Sequence, residues 1–169
     1  MKSHGDGKFR FSDFSLLGCD VVFERDVLIF HPNNIEIGNN VYIGHQTILK
    51  GYYKNKMVIG NNTWIGQQCF FHSAGGLFIG NNVGIGPAVR IITSAHAADD
   101  IKKPIIKTSL IFKKVVIENN CDIGTGTIIL PGVTIGESTI LGAGSIVTKN
   151  IPPNSVAVGN PAKVIKNRQ

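Results

Sequence analysis

The sequence predicts an all-β protein, a parallel β-helix wound as a triangular prism. Three observations carry that expectation. A bulky aliphatic residue recurs at every sixth position through "IGNNVYIGHQTI", "IGNNTWIGQQCF", "IGNNVGIGPAVR", "IENNCDIGTGTI" and "IGESTILGAGSI", and a repeat of that kind has to be explained before anything else. Gly follows most of these anchors and Asn recurs with it at the corners, as a chain that turns sharply after each short strand requires. A helix is excluded, because six is not a multiple of 3.6 and the apolar stripe would wander around its surface.

The anchors group in threes, from Ile37, Ile43 and Leu49 to Ile135, Leu141 and Val147, and Leu17, Phe23 and Ile29 form a weaker first triple. Each hexad supplies one strand and one corner, so a triple is one coil, and each strand pairs in parallel with its equivalent one coil on. Within a hexad the anchor at i and the small residue at i+4 share a face and point inward together. Six coils about 4.8 Å apart predict a prism roughly 29 Å tall.

Spacing breaks mark where loops leave. Ile29 to Ile37 and Phe71 to Ile79 each carry two extra residues, Leu49 to Ile59 carries four, and Ile91 to Ile117 carries twenty. A long excursion from a compact solenoid is costly to order and is usually functional. After Val147, "NIPPNSVAVGNPAKVIKNRQ" puts Pro152, Pro153 and Pro161 where further ladder pairing would need N–H donors, so the solenoid is expected to stop and a basic tail to follow. The expected organisation is one domain over 1–169: an N-terminal arm (1–16), the prism (17–152) with a loop at 97–116, and a C-terminal tail (153–169).

Composition agrees with a single packed domain. The chain has 169 residues, 43% of them hydrophobic, which supports a core and excludes disorder. "MKSHGDGKFRFSDFS" has no apolar h-region and nowhere do eighteen apolar residues run together, so neither a signal peptide nor a membrane span is expected and the default compartment is the cytoplasm. Cys19, Cys69 and Cys121 are odd in number and widely spaced, which fits core packing rather than a disulfide framework or a metal site. A net charge of +6, concentrated in Lys102 to Lys114 and Lys149 to Arg168, suggests an anionic partner. Basic residues that are not interleaved with aromatics, and the lack of helix-turn-helix or zinc-finger spacing, favour a small phosphate ligand over nucleic acid.

Between Leu17 and Lys166, and most specifically in "IGTGTIILPGVTIGESTILGAGSIVTKNIPPNSVAVGNPAKVI", the sequence resembles the hexapeptide-repeat acyltransferases, whose fold is a left-handed parallel β-helix. With its looped-out histidine it looks like the branch of maltose, galactoside and surface-polysaccharide O-acetyltransferases. The left hand comes from this resemblance alone, since the usual crossover rule favours a right hand. The resemblance implies a homotrimer that binds acetyl-CoA, without a metal, in clefts between neighbouring prisms, with the long loop of one subunit closing over the site. It implies a histidine general base, which in "IGPAVRIITSAH" is His96. The residues it implies for the cofactor groove are Thr125 in "IGTG", Ala143 in "LGAG", Thr148 and Lys149 in "VTKN", and Lys163 and Lys166 in "PAKVIK". Two positions depart from the family pattern: its tryptophan in the hexad after the loop is Asp122 here, and its acceptor-binding asparagine aligns with Gly66, beside Trp64.

Read from the residues, His96 stands at i+5 of its hexad and points outward, with Ala95 at i+4 pointing inward. A neutral imidazole there accepts the proton of an acceptor hydroxyl or amine as it attacks the thioester, and no acyl-enzyme is needed because the repeat places no cysteine beside His96. His72 follows the anchor Phe71 and faces outward one coil earlier on the same wall, as a candidate acceptor contact. Trp64, outward at i+5, is a sugar-stacking platform or a trimer contact. Asp99 or Asp100 is a candidate to orient the imidazole, and His45 carries no readable role. Two other classes stay open. γ-Class carbonic anhydrases share the solenoid and bind zinc through histidines, but His72 and His96 would stand about 13 Å apart on stacked strands, too far for one ion within a subunit. A purely structural solenoid would need neither the looped-out histidine nor the basic tail. The acceptor is left open among a free sugar, a nucleotide-linked sugar, a lipid-linked oligosaccharide and an antibiotic, as is O- versus N-acetylation.

Overall fold

A computed structural model describes residues 3–98 and 100–168. Its three walls are parallel sheets, each taking one strand per coil: six strands from Leu16–Leu17 to Thr134–Ile135 in the first wall, seven from Val21–Phe23 to Ser155–Val158 in the second, with Lys163–Asn167 added at its end, and six from Leu28–Phe30 to Ile146–Val147 in the third. Anchor pairs with anchor from coil to coil, Ile37 with Ile59, Ile59 with Ile79 and Ile79 with Ile117. This is the parallel β-solenoid of the left-handed hexapeptide-repeat type.

The six-residue register explains the core. The anchors stack into continuous aliphatic columns, and Ile37, Ile43, Leu49, Ile65, Phe71, Ile79 and Ile85 are all buried. The small residue at i+4 lies under a corner, where a hydroxyl meets the carbonyl of the next coil: Thr47 Oγ1 donates to the Gly66 carbonyl at 2.9 Å and Thr139 Oγ1 to that of Pro152 at 3.0 Å. Cys69 and Cys121 fill the same slot; burial pushes both thiols upward, Cys69 to about 11. Cys19 is exposed at a corner of the first coil, where no preceding coil covers it. Corners between the first and second walls hold Asn40, Asn62, Asn82 and Asn120 in left-handed backbone at φ 54 to 60, which asparagine tolerates better than most residues. Their amides form a ladder, with Asn40 Nδ2 donating to Asn62 Oδ1 at 2.9 Å and Asn62 Nδ2 to Asn82 Oδ1 at 3.1 Å. Phe9 and Phe14 of the N-terminal arm pack on Phe23, with ring centroids at 4.9 and 5.6 Å, and on each other at 5.7 Å, and close the open end of the first coil.

Two features differ from the sequence reading. The ladder does not end at Val147: Ile151 pairs with Ile135, Ser155–Val158 adds a parallel strand to the second wall, and Lys163–Asn167 folds back antiparallel on it. Pro152 and Pro153 occupy the corner, where no ladder N–H is called for, and Ala157 resumes the buried anchor position opposite Leu141. The second difference concerns the long excursion. The chain leaves the third wall after Thr93, and Ser94–His96 pairs antiparallel with Leu110–Phe112 in a hairpin that stands off the prism. Ala95 is therefore exposed rather than inward. Thr93 takes the last inward slot, its hydroxyl donating to the His72 carbonyl at 2.7 Å and accepting from Gly75 N–H at 2.9 Å, so beyond it the hexad alternation has no core to refer to.

All four insertions leave at one edge, where the third wall gives way to the first. Pro32–Asn34, residues 51–56, residues 73–76 and the hairpin lie there in successive coils and build a crest along the prism.

Candidate active site

His96 ends the outgoing arm of the hairpin, opposite Leu110, and is half-buried. Its Nδ1 lies 3.5 Å from Thr108 Oγ1, and the Thr108 hydroxyl donates to the Ile105 carbonyl at 2.7 Å. With its proton so engaged, Thr108 offers only lone pairs to the ring. An Nδ1–H facing it leaves Nε2 as a bare acceptor. Asp100 does not orient the imidazole: its carboxylate binds Lys103 Nζ at 3.0 Å and accepts from Lys102 N–H at 3.1 Å. Asp99 lies outside the described residues.

His72 stands on the third wall below the hairpin. Its Nδ1 is buried without a hydrogen-bond partner, and burial, followed by the charges of Lys50 and His4, holds the imidazole below its ordinary value. Tyr52 meets the His72 ring edge-on at 6.0 Å and also meets Phe112 of the returning hairpin arm at 6.4 Å. The structure thus brings His72 and the hairpin that carries His96 to one edge, joined by a tyrosine that the spacing did not single out. Neither Tyr52 nor Thr108 has a signal in the repeat, since one sits in an insertion and the other reaches His96 across a hairpin.

Trp64 is elsewhere. It lies on the second wall, which faces away from the crest, stacked on Tyr42 with centroids 5.7 Å apart and planes 3° from parallel. Its neighbours in register are Gly84 and then Asp122. One chain does not bring Trp64 to His96, because Trp64 belongs to the second wall and His96 to the hairpin that leaves after the third.

The groove residues divide in the same way. Thr125 and Ala143 occupy successive corners between the second and third walls, with Gly144 N–H donating to the Thr125 carbonyl at 2.8 Å. Lys163 pairs with Val158, and Lys166 lines a basin of about 510 Å³ with Ile140, Val156, Asn167 and Arg168. Thr148 and Lys149 instead follow Ile146–Val147 at the crest edge. The residues that the resemblance implies for the cofactor thus lie on two different edges of a single prism. Among the described residues, no three His, Cys, Asp or Glu side chains gather closely enough to hold a metal ion, and no helix is long and apolar enough to cross a membrane.

With this geometry in view, comparison with known proteins defines the class. Residues 114–149 match the model of the family described as bacterial transferase hexapeptide (six repeats). The crystal structure of a maltose O-acetyltransferase from Clostridium difficile superposes with a TM-score of 0.65 at 32% identity, over 94% of this chain and 72% of that one. The chain belongs to the hexapeptide-repeat acetyltransferase family. Among particular relatives, the galactoside O-acetyltransferase of Escherichia coli is 33% identical over 154 residues, which is 90% of this chain and 64% of that protein. A variant of AntD, an N-acyltransferase from Bacillus cereus, in complex with dTDP and coenzyme A, has a TM-score of 0.83 at 26% identity over 94% of this chain and 86% of that one. The chain spans 47%, 42% and 64% of the length of the first three curated relatives it matches.

Proposed function

We propose that the protein is an acetyl-CoA-dependent acetyltransferase that moves the acetyl group to a hydroxyl group of a saccharide by direct transfer, with His96 as general base. The observation that carries this reading is the 3.5 Å contact of His96 Nδ1 with Thr108 Oγ1, which occupies Nδ1 and leaves Nε2 for the acceptor. The relatives named as galactoside and maltose O-acetyltransferases supply the substrate class. An amino acceptor is the second reading, favoured by the likeness to an N-acyltransferase.

In the proposed step Nε2 takes the acceptor proton as the acceptor oxygen attacks the thioester carbonyl. The tetrahedral intermediate collapses with cleavage of the C–S bond. The imidazolium then returns its proton to the leaving sulfur, so the products are an acetyl ester and CoA with a free thiol. A cysteine nucleophile is disfavoured, because Cys69 and Cys121 are core residues with raised pKa values and Cys19 is in the first coil. Lys149, Lys163 and Lys166 bind the CoA phosphates, and Thr125, Ala143 and Thr148 line its path. Because those residues lie on two edges of a prism, a homotrimer with shared sites is part of the proposal: one copy offers its crest edge and its neighbour the opposite half-groove. Trp64 then joins the acceptor site only from a neighbouring copy, whereas His72 belongs to the same chain as the His96 it serves. Use of acetyl-CoA and unpaired thiols accord with a cytoplasmic location, with neither nucleic acid nor a membrane as partner.

The deciding experiment measures CoA thiol release from acetyl-CoA against a panel of saccharides, with wild-type protein and His96→Gln. Acceptor-dependent release that the variant lacks supports the reading. Release that the variant retains overturns the role of His96, and no release with any acceptor overturns the activity.

A further inference from the structure

Of the crest insertions beside His96, the two that follow Leu49 and Phe71 carry no acidic side chain. Glu36 and Asp99 bracket a stretch of sequence with no Asp or Glu at all, and it supplies most of three coils, the crest insertions after Leu49 and Phe71, and His96 itself. No carboxylate stands on any strand of the third wall, whereas Lys50, His72 and Arg90 do. The carboxylates at the two ends of the stretch that the structure describes are already engaged, Glu36 with Lys56 and Asp100 with Lys103. Among the described residues Lys50 has no ion-pair partner.

Lys50 is also well placed. It is the register partner of His72 on the third wall. The next step toward the hairpin is Thr93, whose hydroxyl donates to the His72 carbonyl, and His96 is three residues further on. Two strand spacings and three residues of chain amount to roughly 20 Å at most, a span that a phosphorylated or nucleotide-linked sugar covers. Lys50 is also the register partner of Phe30, so His31 and Tyr52 each follow closely on its row, and their rings join a cluster. His31 meets the Tyr52 ring at 6.5 Å and the His4 ring at 6.0 Å. Tyr52 meets Tyr53 at 4.7 Å, and Lys54 Nζ lies 5.6 Å over the Tyr53 ring. His72 Nδ1, buried and unpartnered, adds a polar atom that nothing in the protein satisfies. A buried polar atom without a partner is unusual in a native fold and calls for an explanation.

We infer that the acceptor is an anionic saccharide, whose phosphate or carboxylate is held at the crest by Lys50 and His31 while Tyr52 and His72 flank its sugar ring and direct a hydroxyl to His96. The inference rests on the proposed acetyl transfer and makes Lys50 its specificity-determining residue. A carboxylate-free third wall suits such a ligand for two reasons: the unpaired ammonium attracts it, and no acidic side chain on that wall has to be displaced or screened as it docks. A neutral sugar would leave the Lys50 charge unanswered and gain only the stacking.

The test compares glucose 1-phosphate, UDP-glucose, glucuronate, and neutral glucose, maltose and a galactoside as acceptors, for wild-type protein, Lys50→Met and Lys50→Glu. Expected for wild type is a kcat/KM at least about tenfold higher for an anionic acceptor than for its neutral counterpart. In Lys50→Met the KM for the anionic acceptor rises by about that factor, while its kcat, the KM for acetyl-CoA and the melting temperature hold. In Lys50→Glu the preference passes to neutral sugars. The arms separate the sources: a preference for the sugar phosphate or UDP-sugar identifies phosphate, and one for glucuronate identifies carboxylate. Equal use of neutral acceptors, or a Lys50→Met variant that keeps its KM for the anionic ones, overturns the inference while leaving acetyl transfer intact. If no acceptor is acetylated, the proposed function falls, and calorimetric titration of the same compounds still decides the anion site: binding of an anionic sugar that Lys50→Met loses supports it, and no binding overturns it.

Discussion

Thr108 Oγ1 lies 3.5 Å from His96 Nδ1 and gives its own proton to the Ile105 carbonyl at 2.7 Å. The two residues face each other because Ser94–His96 and Leu110–Phe112 close a hairpin, so the loop that interrupts the repeat supplies both the imidazole and the hydroxyl beside its Nδ1.

Replacing the imidazole tests the chemistry directly. His96→Ala is expected to lower kcat by at least about a hundredfold, since general-base catalysis contributes typically 10²–10⁴-fold. The melting temperature is expected to stay near that of wild type, because the half-buried ring stands off the prism and fills no core site. Steady-state kinetics and calorimetry check the two halves of this expectation.

Removing the Thr108 hydroxyl is a milder change. Thr108→Val keeps the side-chain shape, loses the acceptor for Nδ1–H, and is expected to reduce kcat about tenfold with the KM for acetyl-CoA unchanged. Thr108→Ser restores the hydroxyl and is expected to recover most of the loss. An unchanged kcat in the valine variant would dissociate the contact from catalysis.

His72 links stability to pH. Burial, with Lys50 and His4 nearby, lowers its pKa from the ordinary 6.5. Below 6.5 the unfolded chain therefore binds a proton at this position more readily than the folded one, and stability is expected to fall as pH drops from 6.5 through the lower native value. His72→Gln is expected to flatten that part of the curve of melting temperature against pH. A wild-type curve with the same slope as the variant's would show that His72 contributes nothing to it.

The split groove gives a paired expectation. Lys149→Ala/Lys163→Ala/Lys166→Ala together are expected to raise the KM for acetyl-CoA several-fold at low salt, with the difference shrinking as salt is added, because exposed charges are screened. Light scattering is expected to return a mass close to three times 18.2 kDa. A monomer that is fully active would remove the shared site.

Phe71 is the bulkiest of the fully buried side chains and stacks in the anchor column between Leu49 and Ile91. Phe71→Ala is expected to cost about 3–5 kcal/mol in a denaturant titration, from lost burial and the cavity left in a column that rigid coils cannot collapse around.

The sequence by itself determined the solenoid, because a six-residue period has one geometrical solution: a short strand plus a corner, stacked on its equivalent. Ile37, Ile59 and Ile79 could be paired on paper for that reason, and they pair so in space. The edge that carries function was half legible. Every spacing break follows the third anchor of a triple, so the breaks had to share one edge, and His96 had to leave from it. What the repeat could not convey lies where the repeat stops. Ala95 turned outward because Thr93 had already taken the last core-facing slot, and alternation has meaning only against a core. Thr108 reached His96 through a cross-strand pairing that no local spacing encodes. Trp64 came to lie on the second wall and His96 in the hairpin off the third, because the direction in which a hexad faces depends on its place in the coil and not on its own six residues. Only the tertiary structure decided these, since each depends on what stands beside a residue in space after the period has ended or the chain has turned a corner.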